Sequence, residues 1–277
     1  MNKELGLRII TGLIGAGVIV SGMVYTYYAV WVVCAVIAMF GLWEILGIMD
    51  IKQKRYRWTS ILFGLLIWAT YLLDLVMFDI GLGELPAESA FRLAILIFPV
   101  LALITLFDKN AKAPFEILSQ IILSFVYCFL PLILLYKISI PELPSDYRFA
   151  LPLGILFLTW FLDSFAYFGG RLFGKNPLFP RISPKKTWEG ALTGVVFCMG
   201  LGVALSMYTD PAPYNWIIIA AIISVFSQLG DLVESMFKRA RQIKDSGKLL
   251  PGHGGMLDRF DGIYLSVPFI YLYFSFL

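Results

Sequence analysis

Apolar residues run in long, nearly unbroken stretches along this chain, and polar residues are gathered into short segments between them. A helix needs roughly 20 apolar residues to cross a bilayer's hydrocarbon. On that measure the pattern predicts nine spans: Ile9–Val24, Ala29–Met49, Trp58–Phe78, Ser89–Phe107, Phe115–Tyr136, Phe149–Phe168, Trp188–Met207, Tyr214–Glu234 and Gly262–Leu277. The first apolar run passes into the second with Glu44 as its only charge, too long for the core of a cleaved signal peptide, so both are read as retained helices. The fold class expected is all-α, a polytopic integral membrane protein. Residues 1–150 supply spans one to five, and residues 151–277 supply the rest together with the chemistry.

Composition agrees. The chain is 59% hydrophobic and 15% charged, whereas a soluble domain is roughly 45–50% apolar and about 25% charged. The distribution of basic residues sets the orientation. With the N-terminus inside, only Arg92, Lys137 and Arg148 of the 22 Lys and Arg fall on the outer side, as the positive-inside rule requires. Tyr25, Tyr27 and Tyr28 then mark the outer edge, and Tyr56 and Trp58 the inner one. The Pro-rich segments 141–144 and 211–213 are outer loops. Cys34, Cys128 and Cys198 sit in apolar runs without metal-ligand spacing and are read as buried thiols.

Two polar segments on the inner side carry the candidate chemistry. One, residues 235–261, packs the chain's only histidine, six basic side chains, a Gly-His-Gly-Gly turn and an Asp-x-x-Asp pair into a small space. Asp258 and Asp261 share a helix face at that spacing, and paired carboxylates suit a hard divalent cation. Helix-start charges favoured by the dipole are the alternative. Asp231, with Glu234 one turn on, lies at the end of span eight. Asp163 lies deeper in span six, where a carboxylate costs roughly 2.5–3.5 kcal/mol to insert and is a functional candidate by default. Glu44 and Asp74 are read as interhelical hydrogen-bonders.

Basic residues complete the set. Ser183-Pro184 before Lys185 and Lys186 predicts a helix start, with Ser183 as cap, and therefore an anion site. Lys238, Arg239, Arg241, Lys244 and Lys248 are alternatively a basic face for anionic headgroups. The glycines around His253 allow close approach of backbone to a phosphate. Gly170-x-x-x-Gly174 and Gly190-x-x-x-Gly194 are read as helix-packing pairs. Acids for a metal, bases for phosphates and a Gly-rich turn together fit phosphoryl or nucleotidyl transfer at a membrane surface. An ion-coupled secondary transporter using Asp163 and Asp231 is the reading from another class, though no matched halves are visible.

The segment Ser235-x-Phe237-Lys238-Arg239-x4-Lys244-Asp245-x-Gly247-x2-Leu250-Pro251-x-His253-Gly254-Gly255-Met256-x-Asp258-Arg259-Phe260-Asp261 resembles the signature of the phosphatidate cytidylyltransferase (CDP-diacylglycerol synthase) family. Residues 163–174 and 183–190 resemble its upstream motifs. The resemblance implies transfer of CMP from CTP to phosphatidate, releasing pyrophosphate, without a covalent enzyme intermediate. It implies Asp231, Asp258 and Asp261 as ligands of one or two Mg²⁺, and Lys238 as a further catalytic residue. Asp163, Lys185, Lys186, Lys244, Asp245, His253, Gly254, Gly255 and Arg259 would bind substrate. It also implies a homodimer in a bacterial inner membrane, an active site facing the cytoplasm, the bilayer as a partner and no nucleic acid. Two other enzymes compete. A CTP-dependent lipid kinase would release CDP. A CDP-alcohol phosphotransferase would need a second Asp-x3-Asp pair, which is absent.

Overall fold

The computed structural model describes residues 15–17, 19–21, 24, 27–82, 89–139, 150–208, 213–247 and 254–276. His253 and Lys248, most of the first predicted span and the two Pro-rich loops lie largely or wholly outside these residues. The described chain is mostly helical: α1 (Tyr27–Ile48), α2 (Lys54–Asp79), α3 (Ser89–Leu106), α4 (Pro114–Ser139), α5 (Ala150–Phe173), the strands β1 (Pro177–Phe179) and β2 (Ser183–Thr187), then α6 (Trp188–Tyr208), α7 (Pro213–Ala240) and α8 (Leu257–Ser275). Six of them, α1, α2, α4, α5, α6 and α7, contain stretches long and apolar enough to cross a membrane. The fourth predicted span corresponds to the shorter apolar stretch Arg92–Leu106 of α3. The ninth corresponds to α8, whose first turns carry Asp258, Arg259 and Asp261. Many large apolar side chains point outward, Leu62, Leu65, Leu73, Leu192 and Val196 among them. That is the surface expected of helices solvated by lipid rather than water.

The interior is one apolar cluster joining both halves of the chain. Trp68, Tyr56, Trp216 and Tyr264 are its largest fully buried side chains, and Trp31, Trp68, Tyr71 and Tyr136 meet edge to face or tilted within it. The three cysteines are buried and free. The α5–α6 pair is closest of all. A Cβ at Gly190 would stand 2.6 Å from the Ala166 carbonyl and 2.9 Å from Gly170 Cα, and one at Gly194 2.8 Å from the Leu162 carbonyl. Gly190, Gly194 and Gly170 therefore act in helix packing, as small residues do in membranes, while Gly174, just past the end of α5, lies against Thr187 of the hairpin.

The helix predicted to begin at Ser183 is not there. Residues 183–187 form a strand that pairs antiparallel with β1, Pro177 opposite Thr187 and Phe179 opposite Ser183. The helix starts four residues later, with Thr187 as its cap, accepting the Gly190 N–H at 3.2 Å. Glu189 ties the hairpin to the helix by accepting from the Lys175 and Asn176 amides at 3.0 and 3.2 Å and from Asn176 Nδ2 at 2.6 Å. A two-stranded hairpin is thus the exception to the all-α expectation.

The α1–α2, α3–α4 and α7–α8 connections lie at one end of the bundle. Arg241 Nη2 donates to the Met49 carbonyl at 3.0 Å. Tyr56 Oη and the Asn110 amide donate to Asp108 at 2.9 and 2.8 Å, and Arg55 makes an ion pair with the same carboxylate. Burial alone would raise the Asp108 carboxyl. The Asn110 amide, the Tyr56 hydroxyl and the Arg55 guanidinium outweigh it and hold the group below its ordinary value.

Candidate active site

Three helices and the hairpin converge at that end. α7 and α8 approach most closely at Gly230 and Gly262: a Cβ on Gly230 would sit 2.5 Å from the Asp261 carbonyl, and one on Gly262 would overlap the Ser227 hydroxyl. Thr159 of α5 presses on Gly262 from the third side, 3.2 Å from that Cβ position. Asp231, Asp261 and Asp163 lie next to or one turn beyond these contacts, so the glycine crossing brings the three carboxylates into one electrostatic neighbourhood. Asp261 feels Asp231, Asp163 and Lys186; Asp163 feels Lys186, Asp231 and Arg259. Lys186 of β2 makes an ion pair with Asp231, whose other oxygen accepts from Ser235 Oγ at 3.2 Å. Asp163, well inside the length of α5, is nevertheless accessible. Three carboxylates face two cations there.

The two lysines of the hairpin separate in role. Successive strand residues point to opposite faces. Lys186 turns to Asp231 while Lys185 is exposed. Sequence alone left them equivalent.

One turn away on both α7 and α8 lies a second polar group with a different character. Lys238 Nζ stands 2.6 Å from Asp258 Oδ1 and 3.2 Å from Glu234 Oε1, with all three side chains nearly or fully buried. Asp258 Oδ2 accepts from the Gly255 amide at 2.8 Å and from the Ser246 amide and hydroxyl, both at 3.0 Å. Asp258 is thereby committed to internal donors. The sequence grouped it with Asp231 and Asp261 as one metal set; in this structure its oxygens are taken by Lys238, Ser246 and Gly255. Among the described residues no three His, Cys, Asp or Glu side chains stand close enough to hold a metal. Asp231 and Asp261 are oxygen donors of the kind a hard cation such as Mg²⁺ takes, with phosphate oxygens to complete its shell.

The glycines of the signature also have internal occupants. Gly254 takes φ +82°, and a Cβ there would stand 2.7 Å from Asp258 Oδ2. At Gly255 a Cβ would overlap Ser246 Oγ and Glu44 Oε2. These glycines make room for the protein's own carboxylates, whereas the sequence reading assigned that room to a phosphate. Lys238, expected at the catalytic centre, is buried between two acids. Lys244, Asp245 and Arg259 are exposed around the same end.

Glu44, read from sequence as an interhelical hydrogen-bonder, is one, though its partners could not be named in advance. Both its oxygens are engaged: Oε1 accepts the Met256 amide at 3.0 Å, and Oε2 accepts the Leu257 amide at 2.8 Å and Ser246 Oγ at 2.9 Å. The available signal was a lone acid in an otherwise apolar span, which specifies a polar partner without saying which.

Fold and site together define an integral membrane protein with a cluster of carboxylates and a lysine at one end of its helix bundle. The chain belongs to the cytidylyltransferase family, whose family model matches residues 6–277. It is 34% identical over 277 residues, 97% of each chain, to a Bacillus subtilis (strain 168) protein named phosphatidate cytidylyltransferase. Proteins of the same name from Haemophilus influenzae and Staphylococcus epidermidis are 43% and 44% identical over 127 and 115 residues. Those stretches cover 43% and 41% of this chain and 44% of each relative.

Proposed function

We propose that this protein is a phosphatidate cytidylyltransferase, joining CTP and phosphatidate to give CDP-diacylglycerol and pyrophosphate. The convergence of Asp163, Asp231, Asp261 and Lys186, from three helices and a hairpin, carries the reading. Full-length similarity to a relative of that name supports it. A phosphate oxygen of the lipid forms the new bond to the α-phosphorus of CTP as the α–β bridge breaks, and the electron pair leaves with pyrophosphate. No protein nucleophile takes part, so catalysis is positioning and charge neutralisation. Asp231 and Asp261 hold Mg²⁺, which neutralises phosphate charge when bound. Lys186, paired with Asp231 in this structure, would supply positive charge to a phosphate at the same place. Arg259 and Lys244, with His253, bind the triphosphate, and Asp163 orients the groups from deeper in the bundle.

The positive-inside rule supports nine spans with the N-terminus and this site cytoplasmic. Lys52, Lys54, Arg55, Arg57, Lys109 and Lys112 all belong to the connections at the site's end of the bundle. The family resemblance supports a homodimer in a bacterial inner membrane.

The test is mass spectrometry of purified protein in detergent with phosphatidate, CTP and Mg²⁺. CDP-diacylglycerol with matching pyrophosphate is expected, and its loss in Asp261→Asn places the site. CDP with a phosphorylated lipid, or no product, refutes the reading.

A further inference from the structure

We propose that Glu44 is a positioning residue for the nucleotide side of the site, acting through Ser246 and the first turn of α8. The inference rests on the function proposed above. Glu44 belongs to α1 and is 202 residues from Ser246 in sequence. It is 7% exposed and reaches across the bundle to the end of the α7–α8 connection.

Four observations converge on it. Met256, at the start of α8, has helical φ and ψ, and no side chain caps the helix from its own cap position. Orphan N–H groups at a helix start need an acceptor, and the Glu44 carboxylate supplies it for Met256 and Leu257. A negative group at a helix N-terminus is also favoured by the dipole, and hydrogen bonds to an ionised acceptor are the stronger kind. Gly247 and Gly255 are kept free of side chains at this carboxylate: a Cβ on Gly247 would stand 2.5 Å from Glu44 Oε1, and one on Gly255 would overlap Oε2. Finally, Ser246 Oγ lies between Glu44 Oε2 at 2.9 Å and Asp258 Oδ2 at 3.0 Å. A polar chain therefore runs from α1 through Ser246 and Asp258 to Lys238.

Glu44 sets where the 244–247 segment and the start of α8 sit, and with them Lys244 and Arg259. The cluster of Asp163, Asp231, Asp261 and Lys186 has further contacts of its own, the Lys186–Asp231 pair and the Gly230–Gly262 crossing. Loosening Glu44 should therefore weaken nucleotide binding selectively. A carboxylate that only stabilised the fold would lower all kinetic parameters together, along with melting temperature.

Glu44→Gln in the full-length protein is the test. The amide keeps the shape, but one terminal atom becomes a donor facing an N–H group. The KM for CTP should rise about 10- to 100-fold, equivalent to about 1.4–2.7 kcal/mol at 1.36 kcal/mol per decade. The KM for phosphatidate should stay within about twofold, as expected when one substrate's contacts alone are lost. Amide exchange should quicken across residues 244–260 and nowhere else. Adding Ser246→Ala to Glu44→Gln should cost less than the sum of the two single variants, because the two share one path. Asp108→Asn, at the same end but bonded to Arg55 and Tyr56, is the control and should leave the ratio of the two KM values unchanged. An unchanged KM for CTP, or both KM values moving together, overturns the proposal. If the wild-type protein forms no CDP-diacylglycerol, the functional reading falls. The exchange measurement then decides Glu44 alone, and unchanged exchange at 244–260 overturns its role.

Discussion

Lys238→Met removes the one cation between two nearly or fully buried carboxylates. Its ammonium lies 2.6 Å from Asp258 Oδ1 and 3.2 Å from Glu234 Oε1, and the Glu234 side chain is 0% exposed. Neither Glu234 oxygen has a hydrogen-bond donor, and Lys238 is the one cation within ion-pair distance of it among the described residues. Asp258 is better placed, since the Gly255 and Ser246 donors remain. Breaking a buried pair by deleting one partner costs about 3–5 kcal/mol, because the other charge is left uncompensated. At about 2–4 °C per kcal/mol for a chain of comparable size, the melting temperature should fall by about 6–20 °C. The assay is thermal unfolding of the detergent-solubilised protein at one fixed scan rate, since helical membrane proteins of this kind unfold irreversibly. Lys238→Met combined with Glu234→Met should recover most of the loss, because apolar replacements of both members of a buried pair are often neutral. A single variant melting within about 2 °C of wild type, less than one kcal/mol on that scale, would refute the reasoning. So would a double variant worse than the single one.

Other outcomes follow from the same geometry. Asp231→Asn should reduce product formation by about 100-fold or more, the size expected for losing a group that stabilises transition-state charge, with helical content unchanged by circular dichroism. Chelation with EDTA should abolish turnover and Mg²⁺ should restore it. Activity surviving chelation would remove the metal from the proposal. Gly255→Ala should destabilise by about 1–3 kcal/mol through overpacking against Ser246 and Glu44, read as a lower melting temperature. The Asp108 carboxyl is held below its ordinary value when folded. Its contribution is therefore present above the unfolded carboxyl's titration and is lost as pH falls through the folded one. The stability gap between wild type and Asp108→Asn should shrink as the medium is acidified; a gap independent of pH would contradict this.

The legible part of this molecule was its density of polar groups. Asp231, Asp261, Asp163 and Lys186 stood out because charges in an oily chain need partners; the structure pairs Lys186 with Asp231 and brings Asp163 and Asp261 into the same neighbourhood. The α5–α6 contact was legible too, because paired glycines four residues apart allow helices to touch. The hairpin was misread because Ser183-Pro184 satisfies a helix start as well as it satisfies a strand. The deciding signal was Thr187, whose hydroxyl caps the helix four residues later. Asp258 and Asp261 share a spacing and a helix, yet take different partners, since Lys238 and Asp231 lie one turn or more apart along α7. Glu44 marks the limit of reading along the chain. Its partners are 202 to 213 residues away, and only the packing of α1 against α4 and α8 brings them within reach.

The backbone contact between α5 and α6 has a mechanical consequence. Helices in contact through Gly170, Gly190 and Gly194 cannot slide without collision. The hairpin between them, fastened through Glu189 and the Thr187 cap, moves only as they move. Lys186 is therefore delivered on a stiff arm. Spin labels on the hairpin should report a single distance to α5 with and without CTP, while a label on the 244–247 segment changes its distance when nucleotide binds.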